Sequence, residues 1–152
     1  MIKKILLAVA ALGVAVVTAG AASPAAGSSV DLRVLEAVQN VPGGVIVDAH
    51  TATWPDLSMT LTVPDALPQS SIGTCPNGSV CVFSGTSLTG ARLSWTSCGT
   101  FSTAALGSAV RSLADARSTG HADARDGTTV LATAYAQSWN NVSGTADNVA
   151  CY

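Results

Sequence analysis

The hydrophobic pattern of the chain begins with one long apolar run. A positively charged start is followed by residues 5–17, which are apolar throughout. Ala19 and Ala21 then fit the small-x-small pattern that signal peptidase cleaves. The run is shorter than the roughly 20 residues that a membrane-spanning helix needs. We therefore predict a secretory signal peptide over residues 1–21, a flexible leader over residues 22–28, and export of the chain that remains.

A helical repeat follows the leader. Ser28 and Asp31 have the spacing of a capping box. Apolar residues recur at helical spacing in two alternative stripes. These stripes are Leu32, Leu35 and Val38, and Val34, Val38 and Val41. A Pro-Gly-Gly sequence at residues 42–44 ends the repeat. We predict a short amphipathic helix over residues 29–40, and the alternative is a frayed segment that packs on nothing.

The apolar period then changes from helical spacing to strict alternation. The segments GVIVDAHTATW (residues 44–54) and LSMTLTV (residues 57–63) alternate apolar and polar positions, and Pro55-Asp56 separates them. This pattern predicts one β-hairpin of two strands. Two prolines and several polar residues follow, which is typical of a linker. We predict a helix-hairpin extension over residues 29–63 and a linker over residues 64–73. The extension either packs on the domain or is removed as a pro-segment.

Short strands separated by glycine-rich turns dominate residues 74–152. SVCVFSG (residues 79–85) and ARLSWTS (residues 91–97) have strand patterns, and residues 121–135 carry Asp126-Gly127 between two extended runs, a strong hairpin signal. Residues 101–117 are rich in alanine and serine, and their pattern does not distinguish a helix from a strand. The sequence therefore predicts a mainly β protein, and the turn spacing favours an all-β sandwich.

Four cysteines in an exported chain favour two disulfides, for which three pairings are possible. Zinc, with His50 and His121 as additional ligands, is the competing interpretation. The Cys-x5-Cys spacing from Cys75 to Cys81 is outside the range of ordinary zinc sites, which disfavours zinc.

The charge distribution excludes some classes of function. Cleavage after residue 21 removes the only lysines and leaves five arginines against nine acidic residues, a net charge of −4. No basic stripe is present, so we predict no nucleic-acid partner. Neither Gly-x-Ser-x-Gly nor His-Glu-x-x-His occurs, and we predict no enzymatic activity and no cofactor. His121, Asp123 and Asp126 could form a metal or base site, but solvated residues of a hairpin are the simpler interpretation.

Three segments carry a resemblance to a known family. CPNGSVCVFSGTSLTGARL (residues 75–93) is similar to the start of the mature domain in the secreted actinobacterial metalloproteinase inhibitors (SMPI-like peptidase inhibitors). SAVRSLAD (residues 108–115) resembles the segment that closes the first Greek key in that family. Residues 43–64 resemble the N-terminal extension of its longer members. The resemblance implies a βγ-crystallin-like domain over residues 74–152, built from two Greek-key motifs packed as a sandwich.

The resemblance also assigns structural roles. It implies that Phe83 packs under a folded-over hairpin loop, that Leu88 covers the core edge, and that Ser112 belongs to the closing segment. Gly90 would supply a backbone angle that a side chain forbids. The resemblance, together with the short spacing, implies the disulfide Cys75–Cys81. Cys98–Cys151 is then the pair that remains.

The family role is inhibition of metalloproteases by a rigid, substrate-like loop. The matching region here spans residues 135–144 and lacks cysteine, whereas the characterised type of this family holds its reactive bond in a second short disulfide loop. The candidate inhibitory residues are Tyr135, Gln137, Ser138, Trp139 and Asn140. Trp139 is a candidate anchor in a protease pocket. A tryptophan in a small β domain is more often part of the core, and we favour the core position for Trp139. The alternative functions are a non-inhibitory binding or structural module and a killer-toxin-like antimicrobial protein.

Calcium is a further expectation of the fold analogy. Microbial βγ-crystallins bind calcium through an Asn/Asp pair followed at close spacing by Ser/Thr, since calcium prefers oxygen ligands. Residues 107–112 lack the pair, whereas Asp147 and Asn148 keep it and lack the serines. We predict no metal, with Asp147 and Asn148 as weak calcium candidates. The expected partner is an extracellular protease, the expected location is extracellular, and the expected state is a monomer.

Overall fold

The computed structural model describes residues 29–64 and 71–152. The predicted signal peptide, the leader and most of the predicted linker lie outside these ranges. The described helix is α1 (Leu32–Asn40), and 3-10 turns occur at Pro55–Leu57 and Ala104–Leu106. The described strands are β1 (Val45–Asp48), β2 (Thr51–Trp54), β3 (Met59–Thr62), β4 (Ser71–Thr74), β5 (Val80–Phe83), β6 (Arg92–Trp95), β7 (Thr100–Ser102), β8 (Ser112–Asp115), β9 (His121–Asp126), β10 (Thr129–Tyr135), β11 (Ser138–Asn141) and β12 (Asn148–Cys151). Within the described ranges, no helix is long and apolar enough to cross a membrane.

Two antiparallel sheets carry the fold, which confirms the prediction of a mainly β protein. The larger sheet has seven strands in the order β1-β2-β3-β6-β5-β8-β11, and the smaller has four in the order β10-β9-β12-β7. One core joins the two sheets and the helix. The larger sheet contributes most of its large side chains, among them Trp54, Leu61, Val82, Leu93, Trp95 and Leu113. The smaller sheet contributes mainly alanines, namely Ala122, Ala124, Ala132 and Ala134.

The helix begins later than the sequence pattern predicted. Its N-cap is Asp31, whose carboxylate accepts a hydrogen bond from the backbone N–H of Arg33 at 2.8 Å. An Asp N-cap satisfies one of the backbone donors that the first turn leaves unpaired, so α1 starts at the next residue. Of the two apolar stripes, the one containing Val34 faces the core, while Leu32 is 79% exposed.

The segment predicted as one strand over residues 44–54 is two strands, so the prediction of a two-stranded hairpin was wrong. The Asp48 carboxylate accepts a hydrogen bond of 2.8 Å from the backbone N–H of His50, and this local bond reverses the chain. β1 and β2 then pair with each other, and β2 pairs with β3. The extension therefore contains a three-stranded meander.

The extension shares its sheet and its core with the rest of the chain. β3 pairs with β6, with Leu61 opposite Leu93 and Met59 opposite Trp95. Val34 on the helix and Trp54 on β2 belong to the same buried cluster as the strands of the larger sheet. Removal of residues 29–63 as a pro-segment, which stays a prediction, would therefore expose part of this core.

The predicted Asp-Gly hairpin is confirmed. β9 and β10 pair antiparallel, with Asp126 opposite Thr129, and Gly127 between them has a φ of +56°. The ambiguous residues 101–117 contain β7, one 3-10 turn and β8. These short strands are stabilised by pairing with distant partners, which explains why local pattern did not identify them: β7 pairs with β12, and β8 with β5 and β11.

Candidate functional site

The residues that the family resemblance singled out meet in a folded-over loop between β5 and β6. Phe83 is fully buried, and Leu88 packs in the same cluster on the outer face of the larger sheet. The hydroxyl of Ser112 on β8 joins the loop to the sheet. It accepts a hydrogen bond from the Leu88 N–H at 3.0 Å and donates one to the Gly85 carbonyl at 2.7 Å.

Gly90 ends this loop in a conformation that favours glycine. Its φ is +81°, and a Cβ there would lie 2.4 Å from the Ser84 hydroxyl oxygen. That hydroxyl accepts a hydrogen bond from the Ala91 N–H, so it has a fixed position. The folded loop therefore depends on a glycine at this point of the chain.

Each of the two sheets carries one disulfide. The structure joins Cys75 to Cys81 and Cys98 to Cys151, which is the predicted pairing. The first bridge lies on the outer face of the larger sheet, in the same cluster as Phe83. The second links the entrance of β7 to the end of β12 within the smaller sheet. No cysteine of the described residues remains available to bind zinc.

The predicted inhibitory segment forms a tight turn between the two sheets. β10 belongs to the smaller sheet and β11 to the larger. Gln137, in the turn, has a φ of +58°, and its side-chain amide donates to the carbonyls of Ala116 and Arg117, both at 2.8 Å. The Ala136 N–H donates to the Gly120 carbonyl at 3.1 Å. Both sides of the turn are thus attached to the loop that follows β8.

The turn displays aromatic side chains at both of its ends. Tyr135 is 67% exposed and Trp139 is 42% exposed, so the core position favoured for Trp139 is wrong. Ser138 is partly buried and Asn140 is exposed. By register, Tyr135 lies opposite His121 on the smaller sheet, whereas Trp139 lies opposite Ala114 on the larger one. The structure therefore places Tyr135 and Trp139 on different sheets.

Tyr135 lies beside an aromatic cluster that the sequence did not predict. The His121 ring stacks on Tyr152 with centroids 4.8 Å apart, and its centroid lies 6.1 Å from that of Tyr135. The Arg125 guanidinium lies 5.4 Å from the Tyr152 ring centroid and hydrogen-bonds the Tyr152 hydroxyl. The i, i+2 spacing of His121, Asp123 and Arg125 was the sequence signal for this cluster. Alternate residues of a strand share a face, so these three side chains were expected on one face of β9.

His121, Asp123 and Asp126 do not converge on a metal or base site, but the interpretation of all three as solvated residues was wrong for Asp123. Asp123 is buried, forms an ion pair with Arg125 at 2.9 Å, and accepts a hydrogen bond from Thr133. Burial by itself would raise the pKa of Asp123, but the bonds from Thr133 and Arg125 outweigh it and lower that pKa. Asp126 lies at the exposed β9–β10 turn. Among the described residues, no three His, Cys, Asp or Glu side chains are grouped to hold a metal ion.

The two weak calcium candidates take part in the β9–β10 turn. The Asp147 carboxylate accepts from the Gly127 N–H at 2.9 Å, and the Asn148 amide donates to the Gly127 carbonyl at 2.9 Å. The Gly127 bond, with a second from Asn148, lowers the pKa of Asp147. These contacts give both residues a role in fastening the turn to β12.

Comparison with known proteins gives no assignment. No family model matches the chain. No curated protein and no solved structure is similar to it at a significant level.

Proposed function

We propose that the protein is an exported, non-catalytic binding protein that inhibits a peptidase through the turn between β10 and β11. The observation that carries this proposal is the attachment of Gln137. Its amide bonds two backbone carbonyls of the neighbouring loop while Tyr135 and Trp139, on either side, stay exposed. Exposed aromatic side chains on a rigid support are typical anchors of protein interfaces.

Rigidity is the physical reason why this turn suits an inhibitor. A segment that is already ordered loses little conformational entropy on binding, and a cleaved segment that stays in place releases its protease slowly. The Gln137 bonds and the bond from Ala136 to Gly120 hold the turn at three points. The two disulfides support the frame and favour an oxidising, extracellular location.

We infer the class of the target peptidase from the resemblance of the chain to the SMPI-like inhibitors. That resemblance rests on residues 43–64, 75–93 and 108–115. Phe83, Leu88 and Gly90 of the second segment and Ser112 of the third make the contacts described above. A βγ-crystallin-like Greek key is the fold that this resemblance implies. Metalloproteases of the thermolysin type are therefore the targets to test first.

The test is titration of a thermolysin-like protease with the purified protein. We expect loss of activity at near-stoichiometric ratios. Tyr135→Ala and Trp139→Ala should each weaken inhibition, by roughly tenfold or more for a residue that is a true anchor. Val47→Ala, on the exposed strand β1, is the matched control and should change nothing. Full protease activity at about tenfold excess of the unchanged protein would contradict the proposal for this enzyme class.

A non-inhibitory binding module is the second candidate, and one observation favours it. A substrate-like loop is extended at the bond that enters the active site, whereas Gln137 has a φ of +58° and the turn is tight. This candidate predicts that the protein forms a complex with a partner without blocking an active site. Co-elution of protein and protease with full residual activity would select it over the inhibitor.

A further inference from the structure

The disulfide of the smaller sheet differs from that of the larger sheet in its exposure to solvent. Cys98 is exposed in the loop between β6 and β7, whereas its partner Cys151, at the end of β12, is buried. Cys75 and Cys81 are both buried, and they pack beside Phe83 on the outer face of the larger sheet. Of the four cysteines, a dissolved reagent therefore meets Cys98 on the surface.

Hydrogen-bond donors lie against both sulfur atoms of the exposed bridge. Nη1 of Arg117 lies 3.0 Å from the Cys98 sulfur, and the backbone N–H of Gly99 donates to the Cys151 sulfur at 3.2 Å. The buried bridge has a different environment, because the Cys75 sulfur lies 3.7 Å from the carbonyl oxygen of Ser79. Donors favour negative charge on sulfur, and a carbonyl oxygen opposes it.

The exposed bridge has the surroundings that thiol–disulfide exchange requires. In that reaction a thiolate attacks one sulfur of a disulfide, and the rate depends on access to that sulfur and on the stability of the thiolate that leaves. A guanidinium beside a sulfur stabilises the negative charge that the attack brings. Cys98 supplies the access and the guanidinium of Arg117, and the Gly99 N–H stabilises Cys151 as the leaving thiolate.

We propose that Cys98 is a site of thiol–disulfide exchange, at which a small-molecule thiol opens the bridge to Cys151 and leaves the Cys75–Cys81 bridge intact. The thiolate attacks the Cys98 sulfur and forms a mixed disulfide with it. The bond to Cys151 breaks, its electron pair stays on the Cys151 sulfur beside the Gly99 N–H, and water supplies a proton. A second thiol then attacks the mixed disulfide, which frees Cys98 and oxidises the two small thiols to their own disulfide.

Opening this bridge removes the covalent link between the entrance of β7 and the end of β12. The pairing of β12 with β7 and with β9 does not depend on the sulfur atoms, so we expect the smaller sheet to persist. The exchange takes place outside the β10–β11 turn. The proposal therefore does not depend on inhibition of a peptidase.

The test treats the unchanged protein with reduced glutathione and maps its peptides by mass spectrometry after an acid quench, which preserves mixed disulfides. We expect glutathione on Cys98, a free thiol on Cys151, and Cys75 still linked to Cys81. The Cys98–Cys151 bridge should open roughly tenfold or more faster than the buried bridge, because access to sulfur differs between them. The buried bridge is thus a control within the same molecule.

A matched pair of variants compares the two sulfur atoms of the bridge one at a time. Cys151→Ser leaves Cys98 unpaired, and Cys98→Ser leaves Cys151 unpaired. Both variants lack the same bridge, so its loss does not contribute to the difference between them. Iodoacetamide should modify Cys98 roughly tenfold or more faster than Cys151. If either variant does not fold, peptide mapping of the unchanged protein still decides the question.

Three results would overturn the proposal. Glutathione found on Cys151 rather than on Cys98 would show that the attack takes place at the other sulfur. Equal rates of opening for the two bridges would mean that the reaction proceeds through unfolded protein, where all cysteines are accessible. Glutathione concentrations that leave the Cys98–Cys151 bridge closed until the protein unfolds would show that Cys98 is not an exchange site.

Discussion

The backbone N–H of Leu88 donates to the hydroxyl of Ser112, which lies 24 residues further along the chain. Leu88 has a φ of +63°, a left-handed conformation that is costly for a residue with a branched side chain. Its side chain is nevertheless buried beside Phe83. The hydrogen bond to Ser112 therefore stabilises this unfavourable backbone conformation. In that conformation the Leu88 side chain covers the outer face of the larger sheet.

Replacing Ser112 by alanine should destabilise the protein by about 2 kcal/mol. The change removes two hydrogen bonds and leaves the Leu88 N–H and the Gly85 carbonyl without their partner. Urea unfolding followed by circular dichroism measures the loss. Ser97→Ala, at an exposed position, is the control and should change stability by less than about 0.5 kcal/mol. An equal effect of both substitutions would contradict the bridging role of Ser112.

A matched pair of glycines separates backbone strain from steric contact. Gly78 and Gly90 have nearly the same φ, +78° and +81°, but a Cβ at Gly78 meets nothing within 4 Å, whereas one at Gly90 meets the Ser84 hydroxyl at 2.4 Å. Gly78→Ala should cost about 1 kcal/mol, the left-handed penalty alone. Gly90→Ala should cost distinctly more, because Ser84 must move and lose its bond to the Ala91 N–H.

Equilibrium denaturation of both glycine variants supplies the comparison. The difference between the two free energies of unfolding is the quantity of interest, because the backbone penalty cancels in it. Equal costs would show that the Ser84 hydroxyl moves without consequence.

Loss of the Arg117 guanidinium should be among the most destabilising surface changes. Asp115 has no exposed side-chain area. The Nε and Nη2 atoms of Arg117 donate hydrogen bonds to its two carboxylate oxygens at 2.9 and 2.6 Å. Arg117→Met keeps the packing of the stem and leaves the buried carboxylate unpaired, which costs about 3 kcal/mol. Arg111→Met, at an exposed position, is the control. The double variant Asp115→Asn/Arg117→Met should recover part of the loss, and its failure to do so would argue against charge as the cause.

Stability should fall at acid pH. The pKa values of Asp31, Asp123 and Asp147 all lie below the ordinary value in the folded protein. A carboxyl with a lowered folded pKa stabilises the protein above its unfolded pKa, about 3.9, and that stabilisation disappears as the pH falls through the folded pKa. The melting temperature should therefore stay constant down to about pH 5 and drop below about pH 4.

The variant Asp123→Asn tests the origin of that drop. It should melt at a lower temperature than the unchanged protein at neutral pH, and the difference should shrink on acidification, because the protonated Asp123 carboxyl resembles the amide. Asp56→Asn, at an exposed site, is the control. A difference that stays constant over the whole pH range would show that the Asp123 charge does not contribute.

Residues close in sequence made several elements predictable. Asp126-Gly127 marked the β9–β10 hairpin, and the apolar repeat with its Pro-Gly-Gly end marked α1. The reversal at Asp48 was missed because an alternating pattern continues through it, although the Asp side chain that caps the turn was visible in the sequence. The aromatic cluster was missed because Tyr152 reaches His121 only through the pairing of β12 with β9.

By itself, the sequence determined the mainly β class and the Asp126-Gly127 turn, because alternation and turn residues are local features of the chain. The residues of the folded loop were indicated by the family resemblance. Only the tertiary structure decided that the extension joins the larger sheet through β3 and β6, and that Trp95 is buried while Trp139 is exposed. These outcomes depend on which distant strands pair and which face they cover.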